Sequence, residues 1–310
     1  MNGLKPGISR LWVQAIATLL TNGYLKGFFT GSIFVGASKH MCVPTLNCYS
    51  CPGALFSCPI GAMQVVFASG GGMDLSLYSA LWARLLTIIS GFPFFVVGLL
   101  TIIGSLVGRA TCGWLCPFGW LQDLMHRIPS VKWRGPGWLS YGKYVVLVVF
   151  VFLLPFFWVD ASKYGEPTFC EYICPAGTLE GGILLPLLQP DLRKMLGKLF
   201  LWKFSLLIGF LVLMVFVTRP FCRWVCPLGA FFAPFNRVSR WKIRVEEDSC
   251  IQCGACARVC PTALNMPRAV DDGDCLRCLE CVNHCPKQII HFQQGDSAAL
   301  SAPETSDKSA

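Results

Sequence analysis

The chain has 310 residues, of which 54% are hydrophobic and only 14% are charged, and its formal net charge is +9. An average soluble domain carries about 25% charged residues, so this composition excludes an ordinary soluble domain and favours a membrane protein. The basic residues border apolar stretches, which indicates membrane orientation and argues against nucleic acid as a partner.

Four apolar stretches predict four membrane-spanning helices, since a spanning helix needs roughly 20 apolar residues. The stretches cover residues 11–37, 85–108, 144–159 and 199–218. The first lacks the compact apolar core and cleavage site of a signal peptide, so we interpret it as a retained helix. The expected fold is mainly α: a four-helix integral membrane domain with internal repeats over residues 1–220, then a basic cytoplasmic connector over 221–244.

Basic residues cluster next to alternate stretches. They are Lys5 and Arg10 before the first stretch, Arg109, Arg127, Lys132, Arg134 and Lys143 after the second, and Arg219, Arg223, Arg237, Arg240, Lys242 and Arg244 after the fourth. The positive-inside rule then places both termini in the cytoplasm and the protein in the bacterial cytoplasmic (inner) membrane. Arg193, Lys194 and Lys198 are the main objection, because this topology places them outside.

The motif CPxG occurs four times, at spacings of 58, 58 and 52 residues, which identifies an internal repeat. The copies begin at Cys58, Cys116, Cys174 and Cys226. The last three copies have another cysteine four positions earlier, namely Cys112, Cys170 and Cys222. The first copy has Ala54 at that position and Cys42, Cys48 and Cys51 upstream. Cysteines at i and i+4 on a helix point the same way. We expect the proline to stop the helix and the glycine to let the chain fold back.

Two pairs of repeats are expected to form two cysteine sites. If each repeat crosses the bilayer once, odd and even repeats end on opposite sides, and a [4Fe-4S] cluster takes four thiolates. The even repeats give an inner site of Cys112, Cys116, Cys222 and Cys226. The odd repeats give an outer site of Cys58, Cys170 and Cys174 with either Cys48 or Cys51, and they leave Cys42 spare.

Other interpretations of these cysteines remain open at this point. The outer group can form structural disulfides, single buried cysteines can pack as small apolar residues, and thiolates alone can bind zinc. A cluster at each surface also raises a problem of distance, because the hydrocarbon core is about 30 Å thick and electron tunnelling decays exponentially. The sites must therefore lie inward on re-entrant turns buried in protein, or a quinone must relay between them.

The C-terminal segment carries the spacing C-x2-C-x2-C-x3-C-P twice, which is the run of bacterial two-cluster ferredoxins. The fourth cysteine of each run binds the other cluster. Cluster A is thus expected on Cys250, Cys253, Cys256 and Cys285. Cluster B is expected on Cys275, Cys278, Cys281 and Cys260. The spacing predicts a small α+β ferredoxin domain over 245–292, folded together with its clusters, and a disordered tail over 293–310.

These motifs resemble the NapH/MauN/NosR-type membrane iron-sulfur proteins, which are polyferredoxin-like. The resemblance rests on the C-x3-C-P motifs ending at Pro117 and Pro227 and on the eight ferredoxin cysteines. It implies [4Fe-4S] clusters and electron transfer between the quinol pool, or an extracytoplasmic partner, and a cytoplasmic redox partner. The chain departs from shorter members by NCYSCPGALFSCPIGA from Asn47 and CEYICPAG from Cys170. It also lacks the large flavin-carrying domain expected of NosR-like regulators.

We therefore expect a membrane-bound electron-transfer subunit, with quinone as a further cofactor if the protein is a quinol dehydrogenase. Its partners are then membrane lipid and a redox protein. His126 with Asp123 is a candidate acceptor of a quinol proton, and His40 is a candidate ligand or proton partner at the outer site. Two alternatives stay open: a copper or other metal-ion reductase or assembly factor, and a thiol-disulfide redox sensor.

Overall fold

The structure is a computed structural model that describes residues 6–71, 92–158, 165–194 and 196–294. It is mainly helical, with one small antiparallel sheet near the C-terminal end of these ranges. Residues 85–91 of the second apolar stretch and the predicted tail beyond residue 294 lie outside the described residues.

The prediction of one continuous helix over 11–37 is wrong. The chain is helical over Pro6–Thr21 and again over Lys26–Thr30. Between them the backbone turns to bond with the loop before the first CPxG motif: the Tyr24 N–H donates to the Gly53 carbonyl at 3.1 Å. Gly31 ends the second piece with φ of 66°, a left-handed conformation that glycine adopts at no steric cost.

The other three stretches are helical over at least part of their length. Lys198–Phe216 is the one helix in the described ranges that is long and apolar enough to cross a membrane. Phe94–Val107 begins directly after Pro93, and it is shorter. The third stretch begins as Gly142–Val145, continues with π-helical geometry through Val146–Leu153 and ends as Leu154–Phe157.

A further apolar helix, Pro59–Gly71, follows the first CPxG motif and was not predicted from hydropathy. The remaining helical segments are short. They are Ala37–His40, Ala110–Trp114, Pro117–Met125, Gly137–Tyr141, Phe169–Ile173, Pro175–Gly177, Thr178–Ile183, Leu184–Leu188, Pro190–Arg193, Pro220–Trp224, Pro227–Phe232, Phe235–Val238, Glu247–Ser249, Ala255–Arg258 and Glu280–Asn283.

The sheet consists of β1, Trp241–Val245, and β2, Ile290–Gln294, paired so that Trp241 faces Gln294. β1 lies in the predicted connector, four residues ahead of the expected domain start. It belongs with the ferredoxin domain because Ile243 and Ile290 share one hydrophobic core with that domain's cysteines. A separate core joins the helices of the repeats and contains buried cysteines of both predicted membrane-side sites.

Candidate metal centres

Each CPxG cysteine stands immediately before a helix whose first residue is the proline. Cys116, Cys174 and Cys226 share nearly the same extended backbone, with φ between −72° and −65° and ψ between 114° and 119°. The helices that carry the earlier cysteines, Ala110–Trp114, Phe169–Ile173 and Pro220–Trp224, end before the CPxG proline, as predicted. The proline then begins the next helix, because it is well suited to the first helical position, where no N–H is needed. The cysteine occupies the N-cap position, where free backbone N–H groups point at its side chain.

The glycine of the motif sits three residues after the cysteine, and its N–H donates to the thiol in all four repeats. It does not turn the chain back, which corrects the expectation from the sequence. Instead it allows close approach: a Cβ on Gly119 would lie 3.1 Å from the Cys112 carbonyl oxygen, and one on Gly229 would lie 3.1 Å from that of Cys222.

The inner site brings together the four predicted cysteines. Cys112, Cys116, Cys222 and Cys226 are each no more than 5% exposed, and their thiolate charges act on one another. Burial, followed by the charges of Cys222 and Cys112, raises the pKa of Cys116 to about 12. Four such thiols become thiolates readily only when cationic metal neutralises them.

The outer site brings together cysteines of the first and third repeats. Cys48, Cys51, Cys58, Cys170 and Cys174 line one cavity of about 440 Å³. The thiolate charges of Cys174, Cys58 and Cys48 act on Cys170, in that order of strength. Cys42 interacts with Cys58 but does not line the cavity.

Two neighbouring residues connect the inner and outer sites. The backbone N–H of Leu46 donates to the Cys116 thiol, and that of Asn47 donates to the Cys58 thiol. Because consecutive residues lie 3.80 Å apart, these two thiols are within about 12 Å of each other. The sites therefore lie side by side inside one protein core, which agrees with the expectation of buried, inward sites.

Cations bind the backbone of each repeat at the position four residues before the CPxG cysteine. In the inner site the guanidinium of Arg219 donates to the Cys112 carbonyl at 2.8 Å, and that of Arg109 donates to the Cys222 carbonyl. In the outer site, Lys39 donates to the Ala54 carbonyl at 2.8 Å and Lys203 to the Cys170 carbonyl at 3.2 Å. This role was not predicted from the sequence, although both arginines stand three residues before a cysteine.

The ferredoxin cysteines form two groups. Cys250, Cys253, Cys256 and Cys285 line a cavity of about 410 Å³, and these are the cysteines predicted for cluster A. The thiolate charges of Cys278, Cys275 and Cys260 act on Cys281, and these three cysteines are its predicted partners at cluster B. Burial comes first among the causes that raise the pKa of Cys278 to about 11.

The cluster B segment packs against the inner site. Asp274 pairs with Arg109 at 3.0 Å and also with Lys143. Arg219 lies between the two sites, since its charge acts on both Cys222 and Cys278. A Cβ on Gly113, next to Cys112, would lie 2.5 Å from the Leu276 carbonyl oxygen. The ferredoxin domain is thus in direct contact with the repeats.

Several basic residues that were counted for membrane orientation are buried and paired. Arg109 and Arg219 are fully buried, Lys143 is 2% exposed and Arg223 is 5% exposed. Arg10 pairs with Asp123 and Glu280. These residues connect the repeats to one another and to the ferredoxin domain, a role that the count of basic residues did not predict.

The candidate quinol site is only partly assembled. His126 and Asp123 line the same cavity of about 280 Å³. Burial alone would raise the pKa of Asp123, but Arg219 and Arg10 lower it below its usual value. Asp123 is therefore held as a carboxylate in a salt bridge. His40 ends a short helical turn beside Lys39 and does not line the outer cavity.

The donor sets fit iron-sulfur clusters. All eighteen cysteines are free thiols in the structure, and in the described ranges no three His, Cys, Asp or Glu side chains converge on a single metal-ion position. A cubane is larger than one ion and is held by four cysteines, so its ligands need not meet at one point.

Comparisons with known proteins agree with these sites. A family model described as a 4Fe-4S binding domain matches residues 89–136, 144–187 and 199–246, each with one C-x3-C-P motif, and a second model of that description matches 242–265. No solved structure matches the chain.

Three curated relatives are informative. Uncharacterized protein MJ0750 of Methanocaldococcus jannaschii is 31% identical over 57% of this chain and 67% of its own length. The putative electron transport protein YccM of Escherichia coli is 26% identical over 54% of this chain and 46% of its own. The methylamine utilization ferredoxin-type protein MauN of Methylobacillus flagellatus is 26% identical over 50% and 48%. The chain thus spans about half the length of the latter two. It belongs to the NapH/MauN/NosR-type, polyferredoxin-like family of iron-sulfur electron-transport proteins.

Proposed function

We propose that the protein is a membrane-bound electron-transfer subunit that holds four [4Fe-4S] clusters in the order outer site, inner site, cluster B, cluster A. The observation that carries the proposal is the continuity of the four cysteine sites, since cysteines of clusters A and B share one hydrophobic core. Leu46 and Asn47 join the outer site to the inner one, and Arg219 joins the inner site to cluster B. When bound, such clusters supply one-electron transfer without large rearrangement.

We assign Cys48, rather than Cys51, as the fourth ligand of the outer site. Gln64, six residues after Cys58, accepts from the Cys170 N–H at 3.5 Å. Glu180, six residues after Cys174, accepts from the Cys48 N–H at 3.0 Å. Cys48 is thus held by the third repeat much as Cys170 is held by the first. It takes the place of the earlier cysteine that the first repeat lacks, since Ala54 stands at that position.

Lys198–Phe216 supports the membrane location. Its side chains are mostly apolar and largely exposed: Leu201 is 66% exposed and Val212 is 53% exposed. A large exposed apolar surface in a monomer marks contact with lipid or another protein. We place this helix, the shorter apolar helices and the 85–108 stretch in the cytoplasmic membrane, with both termini and the ferredoxin domain in the cytoplasm.

The two ends of the series suit different partners. Cys253 at cluster A is exposed, so a cytoplasmic redox protein can approach it. At the other end the cavity of the outer site is open to a donor or acceptor, such as an extracytoplasmic protein. Entry of electrons from quinol beside His126 is part of the same proposal, with the ring nitrogen Nδ1 of His126 lying 3.2 Å from the Met214 carbonyl oxygen.

Iron and sulfide analysis of the purified protein tests the proposal. Four cubanes require about 16 iron atoms per chain, whereas the ferredoxin clusters alone require about 8. Cys48→Ser should remove about 4 iron atoms, while Cys51→Ser and the control Cys42→Ser should retain the full content. About 8 iron atoms in the wild type would contradict the proposal, and loss of iron in Cys51→Ser but not in Cys48→Ser would contradict the ligand assignment.

A further inference from the structure

Two buried glutamines occupy the same position in the first two repeats. Gln64 and Gln122 each stand six residues after the CPxG cysteine, and both are 0% exposed. The sequence pattern is CPxGxxQ, which the third and fourth repeats replace with Glu180 and Phe232. The glutamine therefore occurs once at each membrane-side cysteine site.

Both glutamines bind the partner repeat in the same way. Gln122 Oε1 accepts from the Phe221 N–H at 3.2 Å, and Gln64 Oε1 accepts from the Phe169 N–H at 3.0 Å. The amide nitrogens then face sulfur. Gln122 Nε2 donates to Cys222 Sγ at 3.0 Å, and Gln64 Nε2 donates to Cys170 Sγ at 3.5 Å. The acceptor side of each amide thus fixes the orientation of the donor side.

We propose that Gln122 and Gln64 set the reduction potentials of the inner and outer clusters by hydrogen bonding to one ligand sulfur each. This inference rests on the proposed function, because it requires clusters at both sites. Hydrogen bonds to the sulfurs, together with charge and exposure, are what a protein uses to tune a cluster. Reduction adds negative charge to the cluster, so an N–H donor stabilises the reduced form and raises the potential.

The distances predict unequal effects at the two sites. The contact of Gln122 is 0.5 Å shorter than that of Gln64, and hydrogen bonds weaken with distance. The inner cluster should therefore depend more on its glutamine than the outer cluster does. Each glutamine should act on its own site only, because its amide reaches a single cysteine.

Redox titration of the full-length protein in detergent, followed by electron paramagnetic resonance, tests the proposal. Gln122→Leu should lower the equilibrium constant for reduction of one cluster about tenfold, which corresponds to 59 mV for a one-electron couple. Gln64→Leu should shift a different signal by less. Gln122→Glu keeps the oxygen that accepts from the Phe221 N–H but loses the N–H donor to sulfur. It should therefore lower the reduction potential of the same cluster that Gln122→Leu affects.

Gln14→Leu is the matched control. Gln14 is equally buried, yet it donates to the Gly113 carbonyl at 2.9 Å and to the Asp123 carboxylate at 3.4 Å rather than to sulfur, so its loss should leave both potentials unchanged. A second readout is pulsed electron paramagnetic resonance after exchange into D2O. The Gln122→Leu variant should lose the coupling of the deuteron that the Gln122 amide donates to sulfur. Unchanged potentials with about 16 iron atoms would overturn this inference alone. A wild type with about 8 iron atoms would instead overturn the proposed function.

Discussion

The inner and outer sites share one construction but differ in the charged groups around it. At both, cations donate to the carbonyls of the residues four positions before the CPxG cysteines. The inner site uses Arg109 and Arg219, which are fully buried and paired with Asp274 and Asp123. The outer site uses two half-buried lysines, and its half-buried carboxylate, Glu180, accepts from a backbone N–H instead of an arginine.

This difference follows from what covers each site. The ferredoxin domain packs over the inner site and supplies Asp274, so a cation there is buried and needs a fixed acidic partner. Arginine suits such a place because its planar guanidinium binds a carboxylate and a carbonyl at once. The outer site keeps an open cavity, where a lysine ammonium can remain partly hydrated. The CPxG repeats thus hold the cysteines in both sites, and the charged groups around the cysteines distinguish the two sites.

The largest expected effect is loss of a buried cation at the inner site. Arg219→Ala removes the cation that Asp123 binds at 2.7 Å and the donor to the Cys112 carbonyl, and it leaves Asp123 with Arg10 at 3.2 Å. We therefore expect the protein to lose about 3–5 kcal/mol of unfolding free energy. Lys203→Ala at the outer site should cost only about 0.5–1.5 kcal/mol. Thermal unfolding in detergent measures both, with the exposed Arg134→Ala as control. Equal losses at the two sites would remove the distinction between them.

A smaller effect is expected on the outer potential. Burial raises the pKa of Glu180 to about 7, so above that pH Glu180→Gln removes a negative charge that acts on Cys48, Cys51 and Cys58. It should therefore raise the potential of the outer cluster, by an interaction of up to about 4 kcal/mol for charges 4 Å apart near a protein surface. The inner potential should not move. Redox titration checks this, and a fall in the outer potential would show that the sign of the electrostatic argument is wrong.

The motif glycines offer a steric test. A Cβ on Gly229 would lie 2.5 Å from Arg109 Nη2, whereas one on Gly98 would meet nothing within 4 Å. Gly229→Ala should therefore cost about 1–3 kcal/mol by overpacking and should loosen the inner cluster. Gly98→Ala should be neutral or slightly stabilising. Iron content and unfolding temperature measure both variants, and normal values in Gly229→Ala would mean that the arginine is free to move.

The smallest expected effect is on pH dependence. The pKa of Asp123 is lowered from its usual 3.8, so its salt bridge is complete above the unfolded pKa and is lost only as pH falls through the still lower folded value. Asp123 should therefore add nothing to the pH dependence of unfolding between pH 8 and 5. Wild type and Asp123→Asn should give parallel profiles of unfolding temperature, and a step that disappears in the variant would indicate a proton-accepting Asp123.

The pairing of repeats could be inferred from the sequence because alternation along the chain is a strong constraint. The grouping of Cys112 with Cys222, and of Cys58 with Cys170, appears in the structure as expected. Hydropathy was less informative. It joined two helices across Asn22 and Gly23, and it missed Pro59–Gly71, because window averages ignore the local backbone bonds that end or begin a helix.

The roles of buried polar residues could not be inferred in the same way. A count of charges along the sequence cannot distinguish Arg109 and Arg219 from arginines in surface loops. Only the packing shows that each donates to a carbonyl of the other repeat. The proposed choice of Cys48 over Cys51 likewise rests on Glu180, which lies more than 120 positions away in the chain.

The amino-acid sequence by itself determined the kind of chemistry, since the number and spacing of cysteines specify iron-sulfur ligation and the repeat specifies which units correspond. Only the tertiary structure decided how far apart the sites lie, what covers each one and which donors face the sulfurs. The physical reason is range: ligand spacing is a local property of a few residues, whereas burial and charge pairing arise between segments that meet only after the chain has folded.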